Sequence, residues 1–172
     1  MKPSRLITLA VTAVALVGAI YFTTRNTKAP AEGGEIVWTD FGTGFSTAHT
    51  TNKKILIDVY TDWCTWCKTM DSKTYSDPEI AAYVRNHFVA VKLNAESQEK
   101  RQVAGHQLSD EDLAKAFEVS GFPTTIFTTA DGKPITSKDG YVEAAEFKYI
   151  LKYIGEDKYL TMSYADYKKS AQ

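Results

Sequence analysis

Ile55-Leu56-Ile57-Asp58-Val59-Tyr60-Thr61-Asp62-Trp63-Cys64-Thr65-Trp66-Cys67-Lys68 carries an apolar run directly into both cysteines of the chain. Such a run reads as a strand buried on both faces, as in a parallel sheet. The Cys-x-x-Cys behind it then sits where a helix opens, the context of a redox dithiol. Unpaired N–H groups at a helix start carry partial positive charge, which favours the thiolate of the first cysteine. The second cysteine lies one turn along, close enough to close a disulfide. Thiol–disulfide exchange is the chemistry this arrangement serves.

Composition bounds the alternatives. The chain has 172 residues and a formal net charge of -1, so nothing in it points to nucleic acid. A hydrophobic content of 44% is ordinary for a globular domain with a core of its own. Cysteines three positions apart cannot staple distant segments. Zinc normally takes four ligands, a second Cys pair is missing, and His49, His87 and His106 are scattered. No metal and no cofactor beyond the Cys64–Cys67 dithiol is expected, and no repeat suggests assembly beyond a monomer.

The N-terminus stands apart. Met1 to Arg5 is a short basic lead, and Leu6 to Thr24 runs without a charge. Residues 1–24 therefore read as a signal anchor or a cleaved signal peptide, and either implies export with a possible membrane tether. Residues 25–34, with Pro30 and Gly33-Gly34, form a linker. Residues 35–155 are the domain, and 156–172 a tail with room for a short helix.

Within the domain, Ile36-Val37-Trp38 predicts a short first strand. Phe41 to Asn52 reads as a helix or loop, weakened by Gly42 and Gly44. A helix over Cys64 to Thr74 follows the central strand. Ser76-Asp77-Pro78-Glu79 has the form of a capping box opening a helix with Ile80, Ala81 and Val84 inward. Phe88 to Asn94 is the next strand, parallel to the first long one through a right-handed crossover. Ala95 to Gln107 is polar and aperiodic, a loop or frayed helix. Ser109 caps a helix with Leu113, Ala116 and Phe117 as its apolar face. A strand at Thr124 to Thr128, a turn at Ala130 to Lys133, a strand near Ile135, and a helix from Ala144 to Ile154 ended by Gly155 complete an α/β order. Phe147, Ile150, Leu151 and Ile154 form that helix's core face.

This order, with Trp-Cys-x-x-Cys-Lys after the second strand and Gly121-Phe122-Pro123-Thr124 before the third long one, resembles the thioredoxin superfamily. The stretch from Ile55 to Lys68, with Tyr75-Ser76-Asp77-Pro78-Glu79-Ile80, is most similar to the C-terminal thioredoxin-like domain of the thiol reductase DsbD and its small exported relatives. The resemblance implies a mixed central sheet flanked by helices. It also implies Cys64 as exposed nucleophile and Cys67 as buried resolving cysteine, with Asp58 a carboxylate beneath them and Lys92 its partner. Pro123 would be a cis-proline whose backbone receives substrate, with Gly140 near the same surface. Asp58 otherwise reads as a tolerated polar residue, and Lys92 as a snorkelling lysine. Trp63, Trp66, Phe122, Pro123 and Thr124 are the candidate substrate contacts, Trp63 packed under the turn and Trp66 exposed. The Thr65-Trp66 pair departs from the Gly-Pro of thioredoxin, so no potential carries over. The implied activity is reduction of disulfides in exported proteins, with electrons from an integral membrane thiol reductase. Oxidase or isomerase activity, or a redox-inactive peptide- or metal-binding module, are the alternatives.

Overall fold

The computed structural model describes residues 34–171. The candidate signal or anchor segment, and all of the linker before Gly34, lie outside the described residues. Among the described residues no helix is long and apolar enough to cross a membrane.

The chain order is β1 (Trp38–Thr39), α1 (Phe41–Thr51), β2 (Lys54–Tyr60), α2 (Thr65–Met70), α3 (Pro78–His87), β3 (Phe88–Asn94), β4 (Lys100–Val103), β5 (His106–Ser109), α4 (Asp110–Ala116), β6 (Thr124–Thr128), β7 (Pro134–Asp139), α5 (Ala144–Gly155) and α6 (Tyr164–Ser170). Five strands make one mixed sheet in the order β1-β3-β2-β6-β7. β2 is central, parallel to β3 and antiparallel to β6. Its residues alternate between two cores. Leu56 packs toward α3 and α5 with Phe127 and Phe147, while Ile55, Ile57 and Val59 pack toward α1 and α4 with Phe41 and Leu113.

Several elements differ from the sequence expectation. The first strand is Trp38–Thr39, with Ile36 in the core and Val37 exposed. The segment from Phe41 is a full helix despite its glycines, because there they permit close approach to neighbouring chain. A Cβ on Gly44 would lie 2.3 Å from Val91 Cγ2, and one on Gly42 would lie 2.7 Å from the Gln102 carbonyl. Gly44→Ala should thus lose about 1–3 kcal/mol in a urea melt, although alanine is the better helix former. An unchanged midpoint would show that α1 can lift off the sheet freely.

The Ala95–Gln107 segment is a loop only as far as Glu99. It holds the β4–β5 hairpin, turned by Ala104 and Gly105, both at positive φ. Val103 is its buried apolar anchor and Leu108 packs half-buried against the same core, contacts too sparse to show as a strand pattern. The α3 cap is Asp77 rather than Ser76: its Oδ1 accepts from the Glu79 and Ile80 amides at 2.9 and 3.1 Å. Ser109 caps α4 reciprocally with Asp112; Leu113 and Ala114 are buried and Phe117 packs half-buried against the same core, as expected for Leu113 and Phe117, while Ala116 is exposed. Gly155 belongs to α5, and the chain turns at Asp157, φ 57°. The tail adds α6, held to α5 by Tyr164 Oη donating to Glu146 (2.7 Å), an ion pair between Lys168 and Glu146, and buried Tyr167 against Tyr153.

Candidate active site

Cys64 is the N-cap of α2, and Cys64 and Cys67 are joined by a disulfide with their Cα atoms 5.3 Å apart. The Cys67 N–H donates to Cys64 Sγ at 3.0 Å, so a backbone amide of the first turn already faces the sulfur that would carry negative charge after reduction. In this oxidised form Cys64 is only 4% exposed, close to the 3% of Cys67. The implied contrast between an exposed and a buried cysteine is therefore not seen here; the exposed groups are the flanking indoles.

Trp63 is not packed under the turn. It is 65% exposed, its Nε1 donates to Glu96 at 2.9 Å, and its ring meets Phe122 edge-on at 6.0 Å. Trp66 is exposed, as expected, and stacks on Tyr141. Trp66 lies between the cysteines, so its packing on Tyr141 belongs to the immediate surroundings of both sulfurs. Trp66→Pro, allowed in a first helical turn, should move the reduction potential by about 30 mV or more, equal to about 1.4 kcal/mol. Equilibration against thiol buffers checks it; an unmoved potential removes the intervening pair as a tuning element.

The Phe122–Pro123 peptide is cis. Phe122 is half-buried, and Pro123 and Thr124 are buried. The Pro123 carbonyl accepts from the Gly140 N–H at 2.8 Å, and Gly140 holds a φ of 77° that favours glycine. The Thr124 hydroxyl lies 2.9 Å from the Gly121 carbonyl and 3.1 Å from Asp139 Oδ1, which ties the loop to β7.

Sheet register assembles the charged group. Asp58 on β2 is opposite Lys92 on β3 and Thr125 on β6. Asp58 is 1% exposed, and Lys92 Nζ donates to its Oδ2 at 2.6 Å. After Met70 the α2 helix widens into a π turn, Asp71–Tyr75, closed by the Ser76 N–H on the Asp71 carbonyl. Asp71 at its start accepts a second bond from Lys92. Tyr75 at its end donates to Asp58 Oδ1 at 3.2 Å and lies 3.0 Å from Thr125 Oγ1. The Lys92 ammonium also rests over the rings of Trp38, Tyr60 and Tyr75, 4.9 to 5.5 Å from their centroids.

Burial raises the Asp58 pKa above the usual carboxylate value, against the pull of Lys92. Lys92 loses some of its preference for charge to burial, yet the Asp58 and Asp71 carboxylates more than reverse this and raise its pKa. Burial, with Asp58 beside it, holds the Tyr75 phenol neutral well above the usual tyrosine value. The result is a buried carboxyl that retains a proton readily and has neutral and cationic donors around it. Asp71, Tyr75 and Trp38 were not legible as site residues. Asp71 does stand four positions after Cys67, on the same side of a helix, but no sequence pattern announces a π turn.

The thioredoxin-like domain family profile matches residues 41–155. The chain belongs to that family. Among relatives, the thiol:disulfide interchange protein DsbD of Vibrio vulnificus is 33% identical over 97 residues, covering 55% of this chain and 15% of that protein. The DsbD of Yersinia pestis is 30% identical over 102 residues, covering 58% of this chain and 16% of that protein. The match thus spans a small part of those relatives' length. A thioredoxin-fold protein from Helicobacter pylori aligns with TM-score 0.62 at 23% identity over 70% of this chain and 80% of that one. DsbH oxidoreductase aligns with TM-score 0.59 at 20% identity over 74% of this chain and 90% of that one. These two structures share the fold, including the mixed sheet with flanking helices that the sequence resemblance implied.

Proposed function

We propose that this chain is a thiol–disulfide oxidoreductase working in the reducing direction on exported proteins. The observation that carries the reading is the Cys64–Cys67 disulfide, placed at the β2–α2 junction of a thioredoxin-like domain. The reduced Cys64 thiolate attacks one sulfur of a substrate disulfide, that S–S bond breaks, and a substrate thiolate leaves. Cys67, losing its proton to Asp58, attacks Cys64 Sγ and releases the second substrate thiolate. The substrate gains two electrons and the protein ends as the disulfide. Trp63, Trp66, Phe122, Pro123 and Thr124 bind the substrate chain, and Lys92 keeps Asp58 placed.

Similarity to DsbD supports a supply of electrons from an integral membrane thiol reductase, and the uncharged Leu6–Thr24 stretch supports export with a membrane tether. The deciding experiment is the reduction potential of Cys64–Cys67 in the full chain, equilibrated against defined thiol buffers. A value near about −270 mV, the thioredoxin region, is expected. One near about −120 mV would make this a disulfide-forming enzyme instead. If no reversible couple appears, a redox-inactive binding module takes the place of both.

A further inference from the structure

Asp58 lies between two partners of different kinds. Lys92 Nζ donates to its Oδ2 at 2.6 Å, and the Tyr75 hydroxyl donates to its Oδ1 at 3.2 Å. An ammonium only donates, so no proton can sit between Oδ2 and Lys92. A phenol both donates and accepts, so Oδ1 is the oxygen whose partner tolerates a proton. The Tyr75 oxygen also lies 3.0 Å from Thr125 Oγ1, a contact in which either hydroxyl serves as donor. Asp58, Tyr75 and Thr125 are 1%, 3% and 0% exposed, so the three groups must satisfy one another. The Tyr75 ring is fixed edge-on between Trp38 and Phe147, with centroids 4.9 and 5.5 Å away. Its oxygen is held in place, and only the hydroxyl hydrogen has to turn.

We propose that Tyr75 and Thr125 are positioning residues for the Asp58 proton step, a hydroxyl relay that reverses its direction when Asp58 takes the proton from Cys67. This rests on the oxidoreductase reading and deepens it. While Asp58 is ionised, Thr125 donates to Tyr75 and Tyr75 donates to Oδ1. When Cys67 gives up its proton, the S–H bond breaks, an O–H bond forms on Asp58, and the proton rests on Oδ1. Asp58 then donates to Tyr75 and Tyr75 donates to Thr125, while Lys92 keeps its bond to Oδ2 throughout. No heavy atom has to move, and the carboxyl has a partner on each oxygen in both states. Burial, with Asp58 beside it, keeps the phenol neutral well above the usual tyrosine value, so Tyr75 does not compete for the proton. The other groups that set Asp58 come from neighbouring elements. Beyond burial, which raises its pKa most, Lys92 on β3 lowers it and Asp71 on the π turn raises it. The Tyr60 ring, at the end of β2, lies against Lys92.

The two hydroxyls should move the Asp58 titration in opposite directions, which separates this role from packing alone. Tyr75→Phe keeps the ring contacts and removes a donor from the carboxylate, the state that gains most from it. The Asp58 midpoint should therefore rise by about one pH unit. Thr125→Val leaves the phenol donating to the carboxylate but strands its hydrogen once Asp58 is protonated, so the midpoint should fall by about half a unit. Thr125→Ser, which keeps the hydroxyl, should return it to the wild-type value. The midpoint is read from the carboxyl carbon shift of Asp58 by NMR, assigned with Asp58→Asn. Full-length oxidised protein is used, because its cysteines do not titrate. The acid limb of mixed-disulfide release should move the same two ways in reduced protein. A wild-type midpoint in Tyr75→Phe, or a shift of both variants in one direction, would overturn the relay. If Tyr75→Phe does not fold, the Thr125 pair decides: a midpoint lowered by valine and restored by serine supports the relay, and an unmoved one overturns it. The carboxyl is read whether or not the protein turns over. A wild-type protein that leaves 2-hydroxyethyl disulfide unreduced removes the oxidoreductase reading, and the role of both hydroxyls with it.

Discussion

Mixed with a peptide disulfide, the Cys67→Ser protein is expected to stop at a covalent complex through Cys64, visible as an added mass that a thiol reductant removes. The first attack needs only the Cys64 thiolate, and the step that releases product needs the second sulfur. Turnover should fall on the order of 1,000-fold, to the uncatalysed background. Cys64→Ser should form no complex at all, because Cys67 stands within the first turn of α2, whereas Cys64 at the N-cap has its sulfur facing a helix N–H that favours the thiolate. A Cys64→Ser protein that retained full biological function would point to the binding-module alternative. A complex formed through Cys67 would reverse the two roles.

Asp58→Asn is expected to slow release of the mixed disulfide about 100-fold at pH 7, the size of a lost general base. The gap should close toward pH 9, above the usual thiol value of about 8.5, where Cys67 ionises without help. The physical basis is the raised pKa of Asp58, set first by burial and moderated by Lys92. Stability should register the same group. A carboxyl whose pKa is raised by folding binds its proton more tightly when folded. The contribution of Asp58 to stability is therefore lost as pH climbs from about 3.9, the unfolded value, through the raised folded value. The Asn variant lacks that titration, so the wild-type stability minus that of the Asn variant should fall across the same window. Exchange rates equal to wild type throughout pH 6–9 would remove Asp58 from the proton path, and a stability difference between wild type and the Asn variant that does not change with pH would remove the buried titration.

Much of the fold was legible because its signals are local. The apolar run Ile55–Tyr60 with the cysteines behind it, the four-residue spacings of Phe147, Leu151 and Ile150, Ile154, and the Ser109 cap each describe a segment's own burial or its own end. Such patterns survive in a single chain without knowledge of its neighbours. The polar hairpin at β4–β5 escaped because its strands bury little and their turn, Ala104-Gly105, is a weak signal. α1 was left open because glycine's propensity cost was weighed, whereas its close approach to Val91 depends on how helix and sheet meet.

The cysteine pair, its strand–helix setting and the place of Asp58 within an apolar run were determined by the sequence alone, since covalent neighbours and periodicity suffice for them. The company Asp58 keeps was decided only by tertiary structure. Tyr75, Lys92 and Thr125 lie 17, 34 and 67 positions from it, and strand register and a widened helical turn bring them to one carboxylate. Trp63 shows the same limit at the surface. Whether an indole next to a cysteine turns inward or outward depends on whether a hydrogen-bond acceptor and an aromatic edge wait outside, and Glu96 and Phe122 come from segments 33 and 59 positions away.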